Sequence, residues 1–524
     1  MEDSRRDRVA PAVLGGLIVY SVVRGIFGMM AKPFWFDELS TLIIVRHPRS
    51  DSILGCLRTG TDGQPFLYFV IEKAFLRLPF SAEISLRLSS LLAFGCVLVW
   101  LYAFMRRRTS ATIALTSLLT IFLTAVEWVY AIDARPYALM MAATAAALVC
   151  YQRAGTPRWT ALFALSLIFG ESIHYYMIFV VGCFVLGELV LWVRTRVIRR
   201  GVCCAMAASA IPLVISWPLI AAVKRFYGAH FWARPNLENL FMTYGIVFDT
   251  TKYGVALCAL VVIPALVVLL WHETWETREA AGSVMARETP IYSERMVIFA
   301  LAILPVIECV ATKLSGGGYT WRYALALTLT VPVTLSYYLE HYRNRTTGRA
   351  ALAVAASVLM LLVGLREGYF WTHRILHPPV RAFSAVRVEN FLDRYGVPTI
   401  PVVIASGLEY LPMTYYGSEP WRDRLVSLYD PEKAIKYSGL HTDSTDRDLW
   451  ALQGCTPLRV LEAGDFVTAN PSFLLYAERP DDGYEWWPRA FQEMGYELKS
   501  LGENDSQELF LVSHKRAAPL SRDR

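Results

Sequence analysis

Long apolar runs broken by short polar segments dominate the first two thirds of the chain. A bilayer-crossing helix needs about 20 mostly apolar residues. Eleven runs approach that length, at 10–31, 84–105, 111–127, 137–151, 159–172, 175–193, 202–222, 254–271, 294–312, 324–339 and 350–367. Each predicts a membrane helix, the shortest being 137–151 and 159–172. Beyond about residue 368 the pattern changes. PTIPVVIAS (398–406), DRLVSLYD, PSFLLYAE and ELFLVSH read as strands, and LEYLPMTYYG opens as a short helix. RAFQEMGYELKSL reads as a helix stopped at Gly495 and followed by a strand. The expectation is a polytopic α-helical membrane protein of about 11 transmembrane helices carrying a C-terminal extracytoplasmic α/β domain. Residues 1–367 form the membrane body, with an outer loop at 32–83, and 368–524 form the soluble domain.

Composition agrees. Of 524 residues, 55% are apolar and 18% charged, and mean hydropathy is +0.37. An ordinary soluble enzyme is poorer in apolar and richer in charged residues. Disordered and fibrous classes are excluded as well. The first apolar run follows a basic start, as a signal peptide would. Its length, the interruption by Arg24 and the spans directly behind it favour an uncleaved helix.

Charge gives orientation. The tail from Tyr369 holds 17 basic and 22 acidic residues, and the rest holds 34 and 23. With the N-terminus inside, alternate loops carry 17 arginines, among them Arg106 to Arg108 and Arg194, Arg196, Arg199 and Arg200. The opposite, longer loops carry 13 basic residues. The positive-inside rule then puts the tail outside. This basic excess speaks to membrane orientation, not to nucleic acid. Seven of the nine cysteines fall in or beside apolar runs, and only Cys56 and Cys455 lie clearly outside. No metal-ligand spacing of cysteine and histidine occurs. A bridge between Cys56 and Cys455 is left open.

The polar residues collect in the predicted outer loops. Loop one contains FWFDELS, with Asp37 and Glu38, then TDGQPFLYF, with Asp62. The next contains YAIDARPYAL, with Arg135 and Tyr137, and the third GESIHYY, with Glu171, His174 and Tyr175. Lys224 and Arg225 lie in the fourth and Arg322 and Tyr323 in the fifth. Asp37 and Glu38 could simply begin a helix, and Asp62-Gly63 could simply turn the chain. Arg135 and Arg322 sit beside aromatic residues and could be interface anchors. As a set, they suit different chemistry. A carboxylate at the membrane surface can take a proton from an acceptor hydroxyl. Arginines can neutralise a phosphate with forked donors.

In these segments the chain resembles the integral-membrane GT-C-type glycosyltransferases, specifically bacterial relatives of protein O-mannosyltransferases and the lipid A aminoarabinose transferase. The motifs are FWFDELS, DGQPFLYFVIEKAFLRL with EISLRLSSLL, DARPYALMMA, HYYMIFVV and WRYALAL, in the family's order across about residues 10–340. The resemblance implies an inverting transferase, mannosyltransferase-like, that uses a polyprenyl-phosphate-linked sugar, membrane lipids and an extracytoplasmic acceptor. It implies Asp37 as base with Glu38 beside it. Asp62, Arg135, Tyr137, His174, Tyr175, Lys224, Arg225, Arg322 and Tyr323 would hold the donor phosphate or line the site. Gln64 and Phe66 stand where the family often has histidine and proline. No cofactor is certain. Metal dependence is open, with Glu38, Asp62 and His174 as candidate ligands. The implied location is a bacterial inner membrane. The competing classes are a transporter or flippase of lipid-linked saccharides and a non-enzymatic envelope assembly protein. A transporter places polar groups near the bilayer midplane and often has repeat symmetry. Here the polar clusters fall at span ends and no repeat is visible.

Overall fold

The computed structural model describes residues 2–124, 129–228, 232–247, 289–343, 346–376, 383–395, 399–439, 446–478, 485–504 and 507–514. The predicted span at 254–271 lies outside them. Each of the other ten apolar runs coincides with helical segments, but fewer have the length of a crossing. Among the described residues, Val9–Ala31, Ala82–Arg106, Met177–Thr195 and Ala353–His373 are long and apolar enough. Two bent pairs raise the number to six: Arg200–Ile215 with Trp217–Tyr227, and Ile291–Ala302 with Leu304–Ser315, bent by 60° and 61°. Pro218 and Pro305 stand in the first turn after each break, where a missing N–H ends the preceding helix at little cost. The helices Ala111–Leu118 and Tyr137–Gln152 are apolar but short. The latter is buried on all sides by protein, which explains an apolar pattern without a stripe.

The described chain groups into two compact units: residues 1–31, 64–218 and 233–379, and residues 32–63, 219–232 and 380–524. The first unit is helical. Its core joins Phe94, Leu98, Met140, Leu148, Phe163, Phe184, Val297, Leu301 and Leu327, all nearly inaccessible to solvent. Close approaches need glycine. A Cβ at Gly187 would meet Val297 Cγ2 at 2.6 Å and Tyr151 Oη at 2.8 Å, so Met177–Thr195 packs tightly on Ile291–Ala302. Two of the arginines read as loop charges are instead tied down here. Arg108 bonds Glu294 (Nε–Oε2 3.1 Å) and the Thr289 carbonyl at 2.8 Å. Arg199 pairs with Glu188, which also accepts from Tyr151 Oη at 2.8 Å.

The second unit contains the α/β fold expected of the tail. Among its described residues are six strands: β1 (Val402–Ile404), β2 (Leu425–Tyr429), β3 (Val460–Glu462), β4 (Ser472–Glu478), β5 (Tyr496–Asn504) and β6 (Gln507–His514). Their order is β3-β2-β1-β4-β6-β5. The first four run parallel, and β6 pairs antiparallel with β4 and β5. The central strand β1 is buried at all three positions, as a strand covered on both faces must be. β3, only three residues long, is the strand the sequence did not predict. Gly495 (φ 87°) turns the chain from helix Trp487–Glu493 into β5, a left-handed conformation that glycine accepts without a Cβ clash.

Candidate active site

In the second unit, Trp35 and Phe36 lead into helix Phe36–Val45. The two acids at its start diverge. Glu38 is fully buried and its Oε2 accepts the Trp35 N–H at 3.3 Å, closing the helix start. Asp37 remains half-buried, with its carbonyl accepting from Thr41 Oγ1 at 3.1 Å. The helix packs on Gly407–Tyr416 of the tail. The Phe34 N–H donates to Tyr416 Oη at 2.9 Å, and Arg46 reaches Tyr415 Oη at 3.2 Å.

The second acidic position follows a tight turn. Gly60 has φ 85°, and a Cβ there would strike Phe226 Cβ at 2.6 Å. Helix Trp217–Tyr227 therefore presses on the turn that presents Asp62, itself buried. Lys224 and Arg225 occupy the last turn of that helix.

The tail contributes an acid the sequence reading did not select. Asp448 lies in the first turn of helix Asp446–Leu452, and Thr61 Oγ1 donates to its carbonyl at 3.5 Å. Neighbouring Arg447 lies over the Phe226 ring at 4.7 Å. The bridge Cys56–Cys455, left open by the sequence, is closed, with Cα atoms 5.8 Å apart. Burial pushes the Asp448 carboxyl well above the usual carboxylate range, and the negative charges of Asp37 and Asp62 push the same way against Arg447. Asp448 sits in TDSTDRDL, which reads as a solvated acidic run. Only the fold brings it to Asp37 and Asp62.

The first unit gathers the other candidates. The DARP turn is pinned by Ser90 Oγ, which donates to the Asp133 carbonyl at 2.6 Å, and by Tyr68 Oη, which donates to the Ala134 carbonyl at 2.6 Å. Arg135 is buried there, and Tyr137 begins the next helix. Helix Pro157–Ile173 ends at His174, whose Nδ1 accepts the Tyr176 N–H at 3.2 Å. Gly170 permits this turn, since a Cβ would meet Met177 Cγ at 2.8 Å. His174 is nearly inaccessible and feels the charge of Arg135. Its ring lies 5.7 Å from Tyr137, 5.8 Å from Tyr176 and 5.3 Å from Tyr323. Tyr175 and Arg322 are half-buried at the edge of this cluster's segments. Arg135, Tyr137, His174 and Tyr323 thus form one aromatic and cationic cluster.

Among the described residues, none of Glu38, Asp62 and His174 belongs to a group of three candidate ligands close enough to share an ion. Among the described residues the one such group is His47, Cys56 and Cys455, with ligand atoms within 4.8 Å of one another. Both of its sulfurs are spent in the disulfide.

No protein-family model matches the sequence, and no curated protein matches it. Solved structures do match. ArnT from Cupriavidus metallidurans in the apo state aligns with a TM-score of 0.51 at 12% identity, covering 95% of this chain and 98% of that one. ArnT from the same organism bound to undecaprenyl phosphate aligns at 0.49 and 13% identity with the same coverage. Such low identity speaks for architecture, and it does so over nearly the whole length of both chains. The chain shares the fold of ArnT, a GT-C glycosyltransferase.

Proposed function

We propose that this protein transfers a sugar from a polyprenyl-phosphate-linked donor to an acceptor hydroxyl outside the bacterial cytoplasmic membrane. The observation that carries the reading is the division of labour at Asp37 and Glu38. The buried glutamate holds the helix start, and the half-exposed aspartate is left at the surface, electrostatically coupled to Asp448. In this reading Asp37 takes the proton of the acceptor O–H. The oxygen attacks the anomeric carbon, and the bond from that carbon to the phosphate oxygen breaks. The phosphate leaves with the electron pair, and the anomeric centre inverts. Such displacements pass through an oxocarbenium-like state, so stabilising the departing phosphate lowers the barrier. Arg135 and Arg322, with Lys224 or Arg225, are assigned that role from their charge and motif positions. Glu38 and Asp62 support the base. The acceptor is a protein, lipid or glycan hydroxyl.

The wider organisation follows the same reading. Eleven crossings, an inside N-terminus, a membrane body of 1–367 and an outer domain of 368–524 remain the proposed arrangement. The arginine distribution supports it. So does the Cys56–Cys455 bridge, since disulfides persist in oxidising compartments.

The test is transfer in detergent. Purified wild type and Asp37→Asn are given a panel of radiolabelled undecaprenyl-phosphate sugars, with membrane extract as acceptor source. Transfer by wild type and its loss in folded Asp37→Asn is the expected result. Equal transfer by both removes Asp37 from its role. No turnover and no binding of any donor by folded wild type overturns the reading in favour of a transporter or assembly protein.

A further inference from the structure

Glu308 is, with Glu171, one of the two carboxyl groups of the first unit whose side-chain oxygens are both buried without a hydrogen-bond partner among the described residues. It lies on helix Leu304–Ser315, beyond the bend at Pro305, and is 0% exposed. Tyr176, Tyr319 and Cys183 lie within electrostatic reach of it. A buried carboxyl normally draws in every donor within reach, because leaving it unsatisfied is costly.

The neighbours' protons go elsewhere. Tyr176 Oη donates to the Gly318 carbonyl. Thr243 Oγ1 donates to the Asn239 carbonyl at 2.7 Å, so the 2.7 Å bond between Tyr319 and Thr243 is donated by the tyrosine. Cys183 Sγ points its proton to the Phe179 carbonyl at 3.3 Å. Thr312 Oγ1 donates to the backbone carbonyl of Glu308 itself at 2.7 Å. These neighbouring groups have already chosen other acceptors. One of these neighbours, Tyr176, belongs to an aromatic cluster. The Tyr176 ring lies 4.2 Å from Tyr323, which adjoins His174.

We propose that Glu308 is a sugar-binding residue, whose carboxylate oxygens accept hydrogen bonds from two neighbouring donors on the sugar ring of the lipid-linked substrate, while Tyr176 and Tyr323 flank that ring. This rests on the reading of the protein as a polyprenyl-phosphate-sugar transferase. The chemistry is that of a ring bearing adjacent hydroxyl or amino groups. The supporting aromatic faces suit its C–H surface, and the carboxylate's paired acceptors suit its vicinal donors. Glu308 is a specificity residue. It holds the transferred group and leaves the phosphate and the polyprenyl chain to other contacts.

The experiment compares binding of undecaprenyl phosphate with binding of undecaprenyl-phosphate-linked pentose, hexose and amino-sugar probes, on full-length wild type, Glu308→Gln and Glu308→Asp. Wild type should bind at least one sugar-bearing lipid more tightly than the bare lipid. Glu308→Gln should lower that preference by about tenfold or more, the loss expected for hydrogen bonds to a charged group. Its affinity for bare undecaprenyl phosphate should stay unchanged. Loss of the amino-sugar preference alone identifies the amine as the recognised donor, and loss for neutral sugars as well identifies hydroxyls. An equal drop for bare and sugar-bearing lipid indicates a structural role and overturns the proposal, as does no change. Hydrogen exchange on the wild type keeps the test independent of the variants' folding. Residues 304–319 should be protected by the sugar-bearing lipid beyond the protection given by the bare lipid, and equal protection refutes the subsite. Wild type that transfers sugar normally while Glu308→Gln keeps its preference sinks this inference and leaves the proposed function standing. Wild type that binds no sugar-bearing lipid sinks both.

Discussion

Arg24 on the first helix and Glu367 on helix Thr346–Leu376 meet at 2.6 Å, 343 positions apart in the chain. Tyr20 Oη adds a 2.5 Å bond to the same carboxylate oxygen, Trp371 Nε1 donates to that tyrosine at 3.1 Å, and the guanidinium lies 4.2 Å over the Phe370 ring. Arg24, which interrupts the first apolar run, is therefore the anchor of a buried ion pair between two of the longest helices. Removing one partner leaves a buried charge uncompensated. Glu367→Ala or Arg24→Ala should each cost about 3–5 kcal/mol, whereas Arg24→Leu with Glu367→Leu should recover most of it. Thermal unfolding of the three variants in one detergent checks this.

The two acids of FWFDELS should separate by readout. Asp37→Asn should lower turnover by about 10²–10⁴, the usual worth of a positioned base, with melting unchanged. Glu38→Ala should instead lower stability by about 0.5–2 kcal/mol, as loss of a helix-start bond does. Melting temperature and donor turnover, measured on the same preparations, tell them apart.

Asp448 gives a pH signature. Its folded value is raised by burial and by Asp37 and Asp62. The folded chain therefore holds a proton there that the unfolded chain releases above about pH 3.9. The stability tied to that proton is fully present below the unfolded value and is lost as pH rises through the folded one. Asp448→Asn mimics the protonated form. The variant and wild type should melt together near pH 3.5, and the variant should melt progressively higher than wild type as pH approaches neutrality. A melting difference that is constant with pH would contradict the assignment.

Breaking the Cys56–Cys455 bridge should destabilise the second unit by about 2–4 kcal/mol. Cys56→Ser and Cys455→Ser should have similar effects, and the double variant should be no worse than either. Limited proteolysis of the segment 46–63, which includes helix Ser50–Arg58, should accelerate in all three.

Much of this architecture was legible in the chain. β1, β2, β4 and β6 announce themselves through runs such as VVI and FLLYA, because β-branched and aromatic residues suit a pleated, buried surface. Helix Tyr137–Gln152 shows the limit. Its alanine-rich run reads as a membrane span, yet at 16 residues it is enclosed by protein, and composition does not separate the two settings. Charge misleads similarly. Arg108 and Arg199 read as loop residues because their partners Glu294 and Glu188 are remote or set on another turn. Asp37 stands out in the sequence by its apolar flanks. Asp448 and Glu308 do not stand out, because one lies in an acidic run and the other stands alone in an apolar one. Their surroundings exist only after folding.

The disulfide carries a consequence for how the protein is made. Its cysteines are 399 residues apart, so the bond closes the polypeptide into one very large covalent ring. It can form only after synthesis has passed Cys455. The segment bearing Asp37 and Asp62 emerges early and must wait for nearly the whole chain before it is fastened beside Asp448. A nascent or truncated chain lacking the tail thus also lacks the fastened acidic cluster, and the assembly of this acidic segment becomes a late event, coupled to completion of the tail.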